Sequence, residues 1–93
     1  MSAPQNIVGA RIKALRRERG LTQAMLAARC GTLGWDVSEN VITKIETHIR
    51  CVTEIELLCM AAALNLRVEN FFPGAENTKA VIKKFFSGRR RDK

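Results

Sequence analysis

The sequence predicts an all-α domain, and three observations carry that expectation. Aromatic residues make up 5% of the chain and Tyr is absent, while hydrophobic residues, chiefly Leu, Ile, Val, Ala and Met, make up 46%. Apolar residues recur at helical spacing in several segments. Each of those segments is introduced by a capping Thr or Ser or closed by a Gly or Pro. At 93 residues the chain is long enough for one small domain.

The first helix is expected over Ile7–Arg19, after a flexible lead-in of residues 1–6. Val8, Ile12 and Leu15 line its apolar side, Arg11, Arg16, Arg17 and Arg19 crowd the others, and Gly20 closes it in the left-handed conformation. Thr22 caps a second helix from Gln23 to about Cys30, with Leu26, Ala27 and Cys30 inward and Gly31 as the stop. After the connection TLGWDV, Ser38 caps a third helix over about Glu39–Thr47, with Ile42 and Ile45 facing the core. Such a short helix is not stable alone and must dock.

Thr53 caps a fourth helix from Glu54 to about Leu64, whose apolar stock is Ile55, Leu57, Leu58, Ala61 and Leu64. Glu54 and Glu56 suit the positive end of its dipole. A fifth, very short helix is expected over Val68–Phe72, stopped by Pro73-Gly74, with Phe71 or Phe72 plugging the core. A sixth helix is expected over Thr78–Ser87, with the apolar stripe Val81, Ile82, Phe85 and Phe86 beside Lys79, Lys83 and Lys84. The organisation is then a main domain over residues 7–73, and a C-terminal helix and flexible basic tail over 74–93.

The formal net charge is +7, which favours an anionic partner. Its distribution is uneven: +4 over residues 1–36, −3 over 37–78 and +6 over 79–93. The three cysteines form no CxxC and there is a single His, so neither a disulfide framework nor a zinc site is expected, and no metal or cofactor. Reduced thiols, two of them in or beside the core, fit a cytoplasmic protein. The longest apolar run, LLCMAAAL, is too short for a membrane span, and no signal peptide is visible. One His, no nucleophile motif and no Gly-rich phosphate loop argue against an enzyme.

Two short helices joined by a Gly-containing turn, the second polar outside, form a helix-turn-helix pattern. The stretches RIKALRRERGLTQAMLA, VSENVITKIE and LLCMAAALNLRVENFF, spread over residues 7–72, resemble the lambda-repressor/Cro-like (Xre) helix-turn-helix family. The resemblance implies a five-helix domain with an additional C-terminal helix, and a transcriptional regulator of bacterial or phage origin that works on the nucleoid. Such a regulator is expected to bind double-stranded DNA as a homodimer, with repression as its action.

A major groove about 12 Å wide accepts one α-helix. Ile42 and Ile45 anchor the third helix, while Ser38, Glu39, Asn40, Thr43 and Lys44 form its outer and N-terminal surface. Asn can bond adenine bidentately, Lys can reach guanine or phosphate, and Thr can meet a thymine methyl. The bland alternative is a solvated helix face.

The resemblance places Gln23 against backbone phosphate and pairs Arg16 with Glu46, a tie that would be structural first and DNA-contacting second. Arg17 and Arg11 are looser phosphate candidates. Thr47, Arg50 and the THIR backbone fall where the family makes a second phosphate contact. Phosphate contacts set register and base contacts set sequence.

Three departures stand out. TLGWD lengthens the turn by five residues, and Trp35 either packs over the domain or lies against the sugar-phosphate backbone. Glu39 repels phosphate yet can accept from cytosine. His48 stands where the family usually has Gly in a left-handed conformation, at a cost of about 1 kcal/mol.

Val81, Ile82, Phe85 and Phe86 are the candidate dimer surface, with packing on their own domain as the alternative. No effector domain is expected beyond residue 93. Two rival functions remain open. One is an antitoxin-like or accessory module that grips a protein partner. The other is non-specific attachment to nucleic acid or membrane through IKKFFSGRRR.

Overall fold

The computed structural model describes residues 7–87. The expected N-terminal lead-in and the basic tail beyond Ser87 lie outside the described residues. Five α-helices follow in order: α1 (Gly9–Glu18), α2 (Gln23–Thr32), α3 (Glu39–Glu46), α4 (Glu54–Ala63) and α5 (Ala75–Ser87). A 3₁₀ turn, Val68–Phe71, stands between α4 and α5. No strand occurs among the described residues, so the all-α expectation holds.

Local chemistry sets the helix starts. The side chains of Thr22, Ser38 and Thr53 accept from the backbone N–H groups of Met25, Val41 and Glu56. Each satisfies one orphan donor of a first turn. Glu56 reaches back to the Thr53 N–H at 3.0 Å, completing a reciprocal capping box on α4. Gly20 closes α1 with φ +72°, as expected.

The end of α2 differs from expectation. Gly31 does not stop the helix, which runs on to Thr32. The Leu33 and Trp35 N–H groups then bond the Cys30 carbonyl, and Gly34 takes the left-handed turn at φ +111°. Two of the five inserted residues therefore belong to helix or cap, and the real connection is shorter.

The core joins all parts of the main domain. Ile12, Leu26, Cys30, Ile42, Ile45, Met60, Leu64 and Phe71 are essentially inaccessible. α3 is wedged between α1 and α2, and α2 also packs on α4. Of the two candidate plugs, Phe71 is buried and Phe72 is exposed. Trp35 is half-buried and packs against the core.

α4 buries only part of its apolar stock. Leu57, Met60, Ala61 and Ala63 are its buried residues, with Leu64 just after them. Ile55 and Leu58, from the same apolar stock, are 70% and 54% exposed. α4 is apolar on most of its faces, so hydrophobicity alone does not choose its inner side.

Candidate nucleic-acid interface

The geometry of α3 is fixed from inside. Ile42 and Ile45 sit in the core, and one turn after Ile42 comes the buried carboxylate of Glu46. Arg16 of α1 meets it in a fork: Nε donates to Oε2 at 2.7 Å and Nη2 donates to Oε1 at 3.0 Å. The remaining arm, Nη1, donates to the Leu21 carbonyl at 2.7 Å. A planar guanidinium suits this bidentate task where Lys would not.

α1 must approach α3 closely for this to form. Gly9 permits it, because a Cβ at that position would collide with the Ile45 carbonyl oxygen and crowd the His48 ring.

The network extends toward the surface. Gln23 Nε2 donates to Glu46 Oε1 at 2.9 Å, and the Thr43 hydroxyl donates to Gln23 Oε1 at 2.7 Å. Arg16, Glu46, Gln23 and Thr43 thus form one chain of hydrogen bonds from the inside of α1 to the outer half of α3. It couples the first residue of α2 to α3 across 20 residues of sequence. The expected Arg16–Glu46 tie is present, and the Gln23–Thr43 bond was not foreseen. Nothing local signals it, since it exists only once α2 and α3 cross.

The outer side of α3 is open. Ser38, Glu39, Asn40 and Lys44 are exposed and Thr43 is half-buried. Asn40 and Lys44 lie four residues apart and so share a face. Glu39 and Thr43 form the neighbouring row. The Ser38 hydroxyl oxygen is engaged as the cap of α3.

The expected phosphate residues divide into two sets. Gln23 and Arg17 stand at the surface, half-buried and exposed respectively. Arg16 is 6% exposed with all three guanidinium nitrogens engaged, so in this structure it holds Glu46 and Leu21. Arg11 turns away to bond the Asn70 carbonyl at 3.0 Å.

The THIR segment also departs from expectation. The N–H groups of Thr47, His48, Ile49 and Arg50 all bond carbonyls of α3, from Thr43, Lys44 or Ile45. The Thr47 hydroxyl donates to the Thr43 carbonyl at 2.8 Å. These donors therefore close the helix instead of pointing outward. His48 adopts φ 65°, the left-handed turn expected there.

Arg50 forks onto Glu56, with Nη1 to Oε1 at 2.9 Å and Nη2 to Oε2 at 2.8 Å. The Arg50 hydrogen bonds hold the Glu56 carboxyl down to about 2, with the Thr53 N–H assisting. The same fork raises the Arg50 pKa further above its already high value. Its charge is thus matched by a carboxylate.

The thiols and the stripe on α5 complete the survey. None of the three cysteines is bridged: Cys30 is buried, Cys59 half-buried and Cys51 exposed. Burial, aided by Cys59, pushes the Cys30 thiol up to about 12, so it stays protonated and inert. Among the described residues no group of His, Cys, Asp and Glu is placed to hold a metal ion, and no helix is long and apolar enough to cross a membrane.

The α5 stripe divides. Val81 is half-buried and lines a hollow with Ile7, Ala10 and Phe72 of its own domain, while Ile82 and Phe86 are 51% and 61% exposed. The Phe85 side chain lies outside the described residues.

An anchored α3, crossed at its start by α2 and showing a polar outer face, completes a helix-turn-helix unit. The helix-turn-helix family model matches residues 12–71. The chain belongs to the lambda-repressor-like helix-turn-helix family. Its members are DNA-binding regulatory domains, and the match begins at core residue Ile12, ends at core residue Phe71 and leaves α5 outside. Neither the curated proteins nor the solved structures searched gave a match.

Proposed function

We propose that this helix-turn-helix domain is a sequence-specific, double-stranded DNA-binding transcriptional regulator that inserts residues 38–47 in the major groove. The observation that carries this reading is the contrast across α3. Its inner side is pinned by Ile42, Ile45 and the Arg16–Glu46 fork, while Asn40 and Lys44 stand exposed together outside. A rigid support with unengaged hydrogen-bonding side chains is what base readout needs.

Asn40 and Lys44 are the principal base-reading residues, with Glu39, Thr43 and Ser38 beside them. Gln23 and Arg17 face phosphate, and Thr47 and Arg50 assist after rearranging their present bonds. Repression is the simplest action, because it needs only occupancy of the operator. A homodimer on a palindrome, with half-sites about 34 Å apart, would double the contacts of one weak reader.

The test is an anisotropy titration against DNA upstream of the gene and a shuffled control, at about 50 and about 200 mM salt. A preference of roughly a thousandfold for the first, lost in the pair Asn40→Ala and Lys44→Ala, supports the reading. Equal binding to both with a steep salt slope overturns it and leaves only charge attraction. The accessory-module reading would then lead, since apolar residues are exposed on α4 and α5 away from α3.

A further inference from the structure

Cys30 and Cys59 meet where α2 packs on α4. The Cys59 thiol donates to the Cys30 carbonyl at 3.8 Å, and the two side chains also hydrogen-bond with each other. Neither belongs to the network of Arg16, Glu46, Gln23 and Thr43. The pair differs in access. Cys30 is wholly buried, whereas Cys59 is half-buried and lines an apolar groove of about 530 Å³ between the inserted turn and the outer side of α4. Leu33, Trp35, Ile55, Leu58 and Ala62 wall that groove. A small reagent therefore reaches one thiol of the pair and not the other.

We propose that Cys30 and Cys59 are a redox-sensitive dithiol, which a hydroperoxide entering the groove closes into a disulfide that staples α2 to α4.

Access sets the order of the chemistry. Cys30, buried and protonated, is inert toward reagents in solution, and its one path to reaction runs through Cys59. In the first step the Cys59 sulfur attacks the outer peroxide oxygen. A sulfur–oxygen bond forms, the oxygen–oxygen bond breaks, and the thiol proton leaves with the departing alkoxide as an alcohol. Cys59 is then a sulfenic acid, which condenses with a neighbouring thiol. In the second step the Cys30 sulfur attacks the Cys59 sulfur. The sulfur–oxygen bond breaks, and hydroxide leaves as water with the Cys30 proton. Two thiols are oxidised by two electrons, and one hydroperoxide is reduced to an alcohol and water.

Proximity makes the second step feasible. A thiol held up to about 12 is ionised at neutral pH only to the order of one part in 10⁵. Groups already positioned against each other react with effective molarities on the order of 10⁵ M or more, which offsets that scarcity. The product ties residues 29 apart in the sequence. Closing a loop of that length restricts the unfolded chain and so stabilises the folded one. Cys51 is exposed on the connection before α4 and serves as the unpaired comparison.

The experiment is hydrogen peroxide treatment of the full-length Cys51→Ser chain under native conditions, read by intact mass and tryptic mapping. Circular dichroism confirms that each variant is folded. The oxidised chain is expected to lose the mass of two hydrogens. Its peptide Cys30–Lys44 should be joined to the peptide of residues 51–67, and dithiothreitol should part them. The thermal midpoint should rise by roughly 5 °C or more on oxidation and fall back on reduction. In Cys30→Ala with Cys51→Ser, the Cys59 sulfenic acid has no thiol to resolve it. It should accumulate and be trapped by dimedone, whereas the intact pair should yield little adduct.

Oxygen added to Cys59 with no joined peptide overturns the dithiol, as does a chain that peroxide leaves unmodified. Dimedone trapping that is equal with and without Cys30 overturns it as well, because Cys59 would then react alone.

Discussion

Two forked Arg–Glu pairs flank the end of α3, and they differ in depth. Arg16–Glu46 ties α1 to α3 with side chains 7% and 1% exposed, whereas Arg50–Glu56 ties the following connection to α4 at 36% and 14%. The hydrogen-bond geometry is nearly the same. Solvent is what separates them, and it decides what each pair contributes. A buried charge that loses its partner is stranded without hydration. A partly exposed charge is rehydrated and loses little. The inner pair therefore fixes where α3 sits, and the outer pair tidies the turn that follows it.

The largest expected effect follows directly. Arg16→Ala leaves the Glu46 carboxylate buried and should cost about 3–5 kcal/mol, read as a shift in the urea midpoint. In a domain this small such a loss approaches the whole stability. Replacing both partners with apolar residues, as Arg16→Met with Glu46→Leu, should recover much of it. That double variant should still bind specific DNA poorly, because Gln23 loses its Glu46 partner and α3 its register. A loss near 1 kcal/mol in Arg16→Ala would erase the difference between the two pairs.

The outer pair should show itself through pH. Folding lowers the Glu56 carboxyl from 4.5 to about 2, chiefly through its hydrogen bonds from Arg50. The group binds its proton less readily when folded, so its contribution is present above about pH 4.5 and is lost as pH falls toward 2. Linkage alone would give about 3 kcal/mol, and screening at the half-exposed Arg50 reduces this to about 1–2 kcal/mol. Glu56→Gln keeps the capping interaction and removes the charge. Its stability deficit against wild type should be constant near neutrality and vanish by about pH 2. A deficit that persists unchanged in acid would mean that the fork contributes nothing.

Much of this fold was legible in the sequence, for local reasons. Thr22, Ser38 and Thr53 each cap the helix that follows through their own hydroxyl, and Gly20 turns left-handed where the pattern of α1 ends. Ile42 and Ile45 identified the inner side of α3 by spacing alone. The Arg16–Glu46 tie was reached through family resemblance, since nothing local links two residues 30 apart.

What remained hidden depended on packing. Gly31 looks like a stop, yet a Gly inside a helix costs only about 1 kcal/mol, and tertiary contacts can override it. Phe71 and Phe72 are equivalent until the 3₁₀ turn orients one of them inward. On α4, apolar residues on nearly every side concealed which would be exposed, and the groove beside Trp35 is made of the ones left outside.

The Thr43–Gln23 bond supplies the smallest effect and the sharpest test of the comparison. It joins the same network as the inner pair but lies nearer the surface, with both residues half-buried. If depth governs contribution, Thr43→Val should cost only about 0.5–1.5 kcal/mol, the ordinary worth of a neutral hydrogen bond. Thr43→Ser retains the hydroxyl and should cost less. In DNA binding the order of importance should invert. Losing the bond leaves the core intact but leaves the Gln23 amide held only through its donation to Glu46, so its carbonyl end is no longer fixed toward α3. Thr43→Val should therefore weaken specific binding by more than its loss of stability implies, with shuffled DNA little affected. Equal weakening on both DNAs would place Thr43 among the general supports of the fold, alongside Arg16, and outside the reading surface.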